Sequence, residues 1–282
     1  MPEAVDHQAK DLLAWLSRSP RFAGSEAEAE ARKFCRSEVE RAGLRCTERE
    51  FGYSQWPGLW GPPVASGVQL VTILIVARTA RNGEPFSALV LGIALFVVLA
   101  ILSRNARRRW VTAFPFLRAK AINLEASRGN PSLWLVAHID TKSQTVPMLY
   151  RIGSVVVLNL MTVVALGALF LQLAGNSGVQ SYWLLISLVA GIASIPSLLC
   201  FVRNDSQGAV DNASGVAAVL LAVRKIPGDQ PLGVLITSGE ELGLAGARAW
   251  AEGAPPNTTV VNCDTIDDAG KWLCMHTGGR PA

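Results

Sequence analysis

The chain has 282 residues, of which 50% are hydrophobic and 17% charged, and its mean hydropathy is +0.30. That length allows one large domain or two small ones, and the low charge points to membrane segments rather than to a larger soluble core. The net charge of +4 comes without a basic stripe interleaved with aromatics, so a nucleic-acid partner is not expected, and five scattered cysteines (Cys35, Cys46, Cys200, Cys263, Cys274) with no CxxC pair argue against a disulfide framework or a cysteine zinc site.

The opening residues are charged and helical in pattern, with no apolar core of a signal peptide, so no cleavable leader is expected. Over 5–17, Val5, Ala9, Leu12, Leu13 and Leu16 fall on one helical face. Ser25 then caps a second amphipathic helix, with Glu28 three residues on as a capping box and Gly43 as its stop. Residues 44–51 alternate like a strand.

Composition then changes. Tyr53, Trp56 and Trp60 precede an uncharged apolar run over 64–77, a turn over 78–85, and a second apolar run over 86–102. With flanking residues each run approaches the roughly 20 residues that cross a bilayer, and the aromatics suit an interfacial belt. Arg104, Arg107, Arg108 and Arg109 follow directly. Soluble pattern returns with strands over 119–126 and 133–139. It is interrupted again by uncharged apolar runs over 152–174 and 182–202, a second hairpin. From 203 onward strands (232–237, 259–264, and one beginning at 271–276) alternate with helices (214–225, 242–251), which implies a mostly parallel sheet with its site at the carboxyl ends of the strands. The domain plan is therefore 1–58, the first part of a soluble domain; 59–103, a hairpin; 104–151, a second soluble part; 152–202, a second hairpin; and 203–282, the remainder. Two passes per hairpin put all soluble parts on one side, and the arginine cluster predicts that side to be cytoplasmic. A four-helix transporter is disfavoured, because none of the four runs holds an ionisable residue.

Asp211, Glu240, Glu241 and Asp264 stand at strand ends or a helix start within apolar sequence, and His138 ends an apolar strand. Carboxylates gathered in such surroundings need a cation, and a metal ion with His138 as nitrogen donor is the economical one. Each motif alone is unspecific: Glu240-Glu241 reads as helix N-terminal acids, Asp211-Asn212 as a turn, and His138 as a satisfied strand-end histidine. Their order carries the signal.

Taken in order, Arg21-Phe22-Ala23-Gly24-Ser25, Ala121-Ile122-Asn123-Leu124-Glu125, Ala137-His138-Ile139-Asp140-Thr141, Asp211-Asn212-Ala213-Ser214-Gly215, Ser238-Gly239-Glu240-Glu241-Leu242-Gly243 and Asn262-Cys263-Asp264 resemble the M28 family of zinc peptidases. The resemblance implies a three-layer α/β/α sandwich of the zinc-exopeptidase kind around a mostly parallel mixed sheet, here with four transmembrane helices in two inserted hairpins. It implies two zinc ions bridged by Asp211. His138 and Asp264 would complete the first, Glu241 would bind the second, Glu240 would be the general base, and the Asp140 carboxylate would hold the His138 tautomer. A peptide substrate and the lipid bilayer are the implied partners, and the reaction is removal of a terminal residue by metal-activated water. Two departures stand out. His138 and Asp211 are 73 positions apart (211 − 138) because the second hairpin lies between them. The family's last ligand, a histidine well past the Asp264 position, has only His276 as a downstream counterpart, so the ending reads as a chain cut before its final elements. Besides the exopeptidase, a module keeping the fold without the reaction, and an acyltransferase resembling glutaminyl cyclase, stay open.

Overall fold

The structure is a computed structural model and describes residues 2–267. The predicted strand at 271–276, with His276 and Cys274, lies outside the described residues.

Helices α1 (Pro2–Leu16) and α2 (Glu26–Arg41) lead into β1 (Arg45–Ser54). Ser25 caps α2 by accepting the Glu28 N–H at 3.2 Å, and the Glu28 carboxylate reaches back one residue past the cap to the Gly24 N–H at 2.7 Å. After α3 (Trp56–Arg81) and α4 (Pro85–Ala113) come β2 (Arg118–Arg128), β3 (Leu133–His138) and the two-residue β4 (Ser143–Gln144). Next are α5 (Met148–Leu173), α6 (Trp183–Leu198) and β5 (Val202–Arg203), and the chain continues through α7 (Gly215–Lys225), β6 (Leu232–Thr237), α8 (Ala245–Ala251) and β7 (Thr259–Asn262).

The main sheet has the order β1-β2-β6-β3-β7. Strands β6, β3 and β7 run parallel, while β1/β2 and β2/β6 are antiparallel. The sheet is thus evenly mixed rather than mostly parallel, a correction with a clear cause. The first helical pair takes the place of a hairpin turn: β1 ends and β2 begins in register, Ser54 opposite Arg118, so the returning strand must run antiparallel. Central β6, Leu-Gly-Val-Leu-Ile-Thr, is buried along its whole length, as a strand paired on both edges and covered on both faces requires. Leu12, Leu16, Cys35, Val39, Val216 and Leu220 pack on one face of the sheet. On the other, Trp250 of α8 packs against Trp134 in a tilted arrangement, ring centroids 5.1 Å apart, beside Val136 and Leu235.

Among the described residues, three stretches are long and apolar enough to cross a membrane: Trp56–Arg81, Met148–Leu173 and Ser177–Leu198. The fourth expected crossing is represented by the shorter apolar segment Pro85–Val98 of α4. Between 22% and 28% of each long stretch's most apolar window is buried, so most of its apolar surface faces outward, as a lipid-facing helix would. The inner faces pack together through Ile73, Val76, Leu158, Leu169, Trp183 and Ile186, and the Trp183 indole N–H donates to Gln172 Oε1 at 2.8 Å. Tyr53 departs from its expected interfacial place. It is the penultimate residue of β1 and is fully buried beside Ala121, Leu242 and Ala245.

Candidate metal centre

Parallel β3, β6 and β7 end on one edge of the sheet, and each delivers acid or imidazole there. His138 is the last residue of β3. Glu240 and Glu241 follow β6 in a turn, and Asp264 comes two residues after β7. Asp211 arrives from the loop preceding α7. This is the carboxyl-end location that an open α/β sheet favours.

The His138 ring is almost fully buried. Its Nδ1 lies 3.1 Å from the Asp140 carbonyl oxygen, so a proton on Nδ1 is satisfied there and Nε2 carries the lone pair. Nε2 is 3.1 Å from Asp211 Oδ1, 3.5 Å from Asp264 Oδ1 and 3.8 Å from Glu240 Oε2. A lone pair and ionised carboxylates are all acceptors, so they converge only around positive charge, either a proton on Nε2 or a metal ion. Without a metal the proton is held hard: burial acts to lower the His138 pKa, yet the carboxylates of Asp140, Asp211 and Asp264 override it and raise the value to about 12. The ligand atoms of His138, Asp211 and Asp264 all lie within 4.8 Å of one another, and one imidazole nitrogen with two carboxylate oxygens suits zinc with a position left open.

Asp140 works differently from the sequence expectation. Its carboxylate stands 3.7 Å from Nδ1, beyond a hydrogen bond, and the backbone carbonyl does the orienting. The carboxylate instead accepts the N–H groups of Glu240 (Oδ1) and Glu241 (Oδ2), each at 3.1 Å. Asn123 fixes the same turn from beneath, accepting the Ser238 N–H at 3.2 Å and donating to the Gly246 carbonyl at 2.8 Å.

Glu240 points toward His138 with its carboxyl pushed up to about 7. Desolvation is the main cause, His138 opposes it, and Asp140, Glu241 and Asp264 add to it. Asp264 is held low, chiefly by its hydrogen bond to His138. Glu241, expected to bind a second ion, is outside the converging set among the described residues. Its Oε2 is 2.8 Å from the Lys142 ammonium, which also donates to the Glu241 carbonyl at 2.6 Å.

Sequence reasoning gave no role to three residues that build this centre. Asn212 ties the Asp211 loop to the Asp264 loop: Oδ1 accepts the N–H groups of Gly215 (3.0 Å) and Thr265 (3.3 Å), and Nδ2 donates to the Cys263 carbonyl at 3.0 Å. Buried Arg21 joins the loop after β3 to the loop before Asp211, donating to the carbonyls of Ile139 (2.9 Å), Gln207 (2.8 Å) and Gly208 (3.2 Å). Lys142 is the third. The signals were a polar residue beside a ligand, an arginine at the head of a matching motif, and a lone base directly after His138-Ile139-Asp140-Thr141.

The model of peptidase family M28 matches residues 185–281, a stretch that contains Asp211, Glu240, Glu241 and Asp264. The similarity to that family is thus confined to the C-terminal third. His138 and the motifs upstream of the second hairpin lie outside the M28 match. No curated protein matches the chain. Solved structures similar to it include a glutaminyl cyclase from Fimbriiglobus ruber (12% identity, TM-score 0.35, covering 84% of this chain and 46% of that one). A leucine aminopeptidase precursor from Bacteroides thetaiotaomicron is another (12%, 0.40, 94% and 62%), as is BSAP, a zinc aminopeptidase from Bacillus subtilis (12%, 0.41, 92% and 69%). The chain spans less than two thirds of the length of the first two.

Proposed function

We propose that this chain is part of a membrane-anchored, zinc-dependent exopeptidase whose soluble parts (1–58, 104–151 and 203–282) form one catalytic domain on the cytoplasmic side, carried by two inserted hairpins (59–103 and 152–202). The observation that carries the reading is the approach of His138 Nε2 to Asp211 and Asp264, with Glu240 beside them. These groups come from the end of β3 and from three separate loops, and they meet despite the long insertion after His138.

In this reading His138, Asp211 and Asp264 hold zinc, which when bound polarises a substrate carbonyl and lowers the pKa of water. Glu240 is the general base that takes a proton from the attacking water, a role suited by a carboxyl raised toward neutrality. Asp140 holds the backbone that aims Glu240, and its carbonyl oxygen keeps the His138 ring turned toward the acids. The substrate is a peptide with a free terminus.

The test uses the full chain purified in detergent. Bound zinc is measured by elemental analysis, and release of terminal residues from a mixture of short peptides is followed. Expected are zinc in the wild type, release of single residues, and a loss of about 10²–10⁴-fold in Glu240→Gln with zinc retained. Zinc without any hydrolysis would favour the module that keeps the fold and not the reaction. A wild type without zinc would overturn the metal reading.

A further inference from the structure

The residues around Glu241 do not suit a second metal ion. Its carboxylate is already matched by a cation of the chain itself: Lys142 Nζ is 2.8 Å from Glu241 Oε2 and donates to the Glu241 carbonyl at 2.6 Å. Both side chains are mostly buried, at 19% and 15% exposure, so this pair is not a solvated surface contact of little consequence. The pair is also fixed from both ends. Lys142 follows Thr141, whose N–H donates to the Arg21 carbonyl at 3.0 Å, and it precedes β4, which pairs with β5. The Glu241 backbone is anchored to Asp140 Oδ2. Removing either partner of such a pair strands a charge away from water, so the lysine is not easily displaced.

We infer that Lys142 is a built-in cation standing in place of a second metal: its ammonium neutralises Glu241, and the centre takes one ion, at His138, Asp211 and Asp264. This rests on the zinc reading above and adds a stoichiometry to it. Asp211 then serves one ion rather than bridging two, consistent with its place in the converging set of three while Glu241 is outside it.

The experiment is a zinc titration of the metal-stripped full chain in detergent, with bound ions counted after removal of free metal. Wild type is expected to hold one equivalent and Lys142→Arg, which keeps the cation, one. Lys142→Met, which releases the Glu241 carboxylate, is expected to hold two, and Lys142→Met combined with Glu241→Gln to return to one. Asp264→Asn lowers the affinity of the first equivalent at least tenfold and identifies it with the proposed centre. Two equivalents in wild type, or one in Lys142→Met, overturns the role of Lys142 while leaving the zinc reading intact. No zinc in wild type overturns both. Circular dichroism of each variant verifies that counts come from folded protein.

Discussion

The carboxylate of Asp140 grips the backbone of Glu240 across 100 residues of sequence, its Oδ1 accepting the Glu240 N–H at 3.1 Å while Oδ2 takes the next N–H at the same distance. One fully buried aspartate thereby sets the position of the whole Glu240–Glu241 turn. Replacing it with asparagine keeps one acceptor and turns an amide NH₂ against the other N–H. Asp140→Asn is expected to lower peptide hydrolysis about 10²-fold with zinc content unchanged, because the carbonyl that orients His138 remains. Asp140→Ala leaves two buried donors unpaired and is expected to cost about 2–4 kcal/mol in stability, read by thermal unfolding in detergent. Equal loss of zinc and activity in the asparagine variant would contradict this division of roles.

With Glu240 as the general base proposed above, the acid limb of the pH–rate profile is expected to follow its carboxyl. Desolvation raises its carboxyl to about 7 in the metal-free chain, and a cation nearby adds positive charge, which favours the ionised form. In that role the base works when deprotonated, so activity is expected to fall as pH drops, with a midpoint below about 7. Initial rates between pH 4.5 and 8 locate it. A limb that stays unchanged in a residually active Glu240→Asp variant would assign it elsewhere.

Glu28, buried beneath the turn, has its carboxyl raised to about 7, first by desolvation and further by Asp140. The folded state therefore holds this proton more tightly than the unfolded chain does. Its stabilising contribution is fully present below the unfolded value near 4.5 and is lost as pH rises through about 7. A shift of that size corresponds to about 3 kcal/mol between the two limits. Glu28→Gln cannot ionise, so it should gain thermal stability over wild type as pH is raised from 5 to 8. A difference that does not change with pH would refute the assignment.

Gly215 starts α7 with no room for a side chain: a Cβ there would run into Asn212 Oδ1 and the Cys263 carbonyl. Both belong to the staple between the Asp211 and Asp264 loops. Gly215→Ala should lower stability by about 1–3 kcal/mol and weaken zinc binding at the same time. At Gly228 an added Cβ would meet nothing within 4 Å, so Gly228→Ala is the control substitution and should leave zinc affinity unchanged.

Much of this was legible in the sequence because local pattern and final place agree. Leu232 to Thr237 reads as a buried strand and is one, and the amphipathic faces of α1, α2 and α7 name the residues that cover the sheet. Helix α8 begins at Ala245 rather than 242, because Leu242 turns inward against Gly58 and Leu244 adopts a positive φ of 61°. Periodicity carries no trace of either. The antiparallel half of the sheet was hidden because the return of β2 beside β1 depends on where an inserted helical pair comes back, not on strand pattern. Lys142 with Glu241, and Asp140 with the Glu240 N–H, are contacts across about 100 residues, and only the folded backbone brings them together. His138, Asp211 and Asp264 could be named as candidates because the order of their motifs carries the signal, and the structure brings their ligand atoms within 4.8 Å of one another.

The short ladder of β4 and β5 pairs Ser143 with Arg203 and Gln144 with Val202. Chain departure and chain return are thus clasped side by side, a few ångströms apart, whatever lies between them. The closure entropy of the intervening loop grows only slowly with its length, so a long excursion can be spliced in at this clasp without moving the residues on either side. A sheet that gathers His138, Asp211 and Asp264 at one edge can carry an inserted helical pair this way at little cost to its geometry, and the inserted pair is free to diverge independently of that edge.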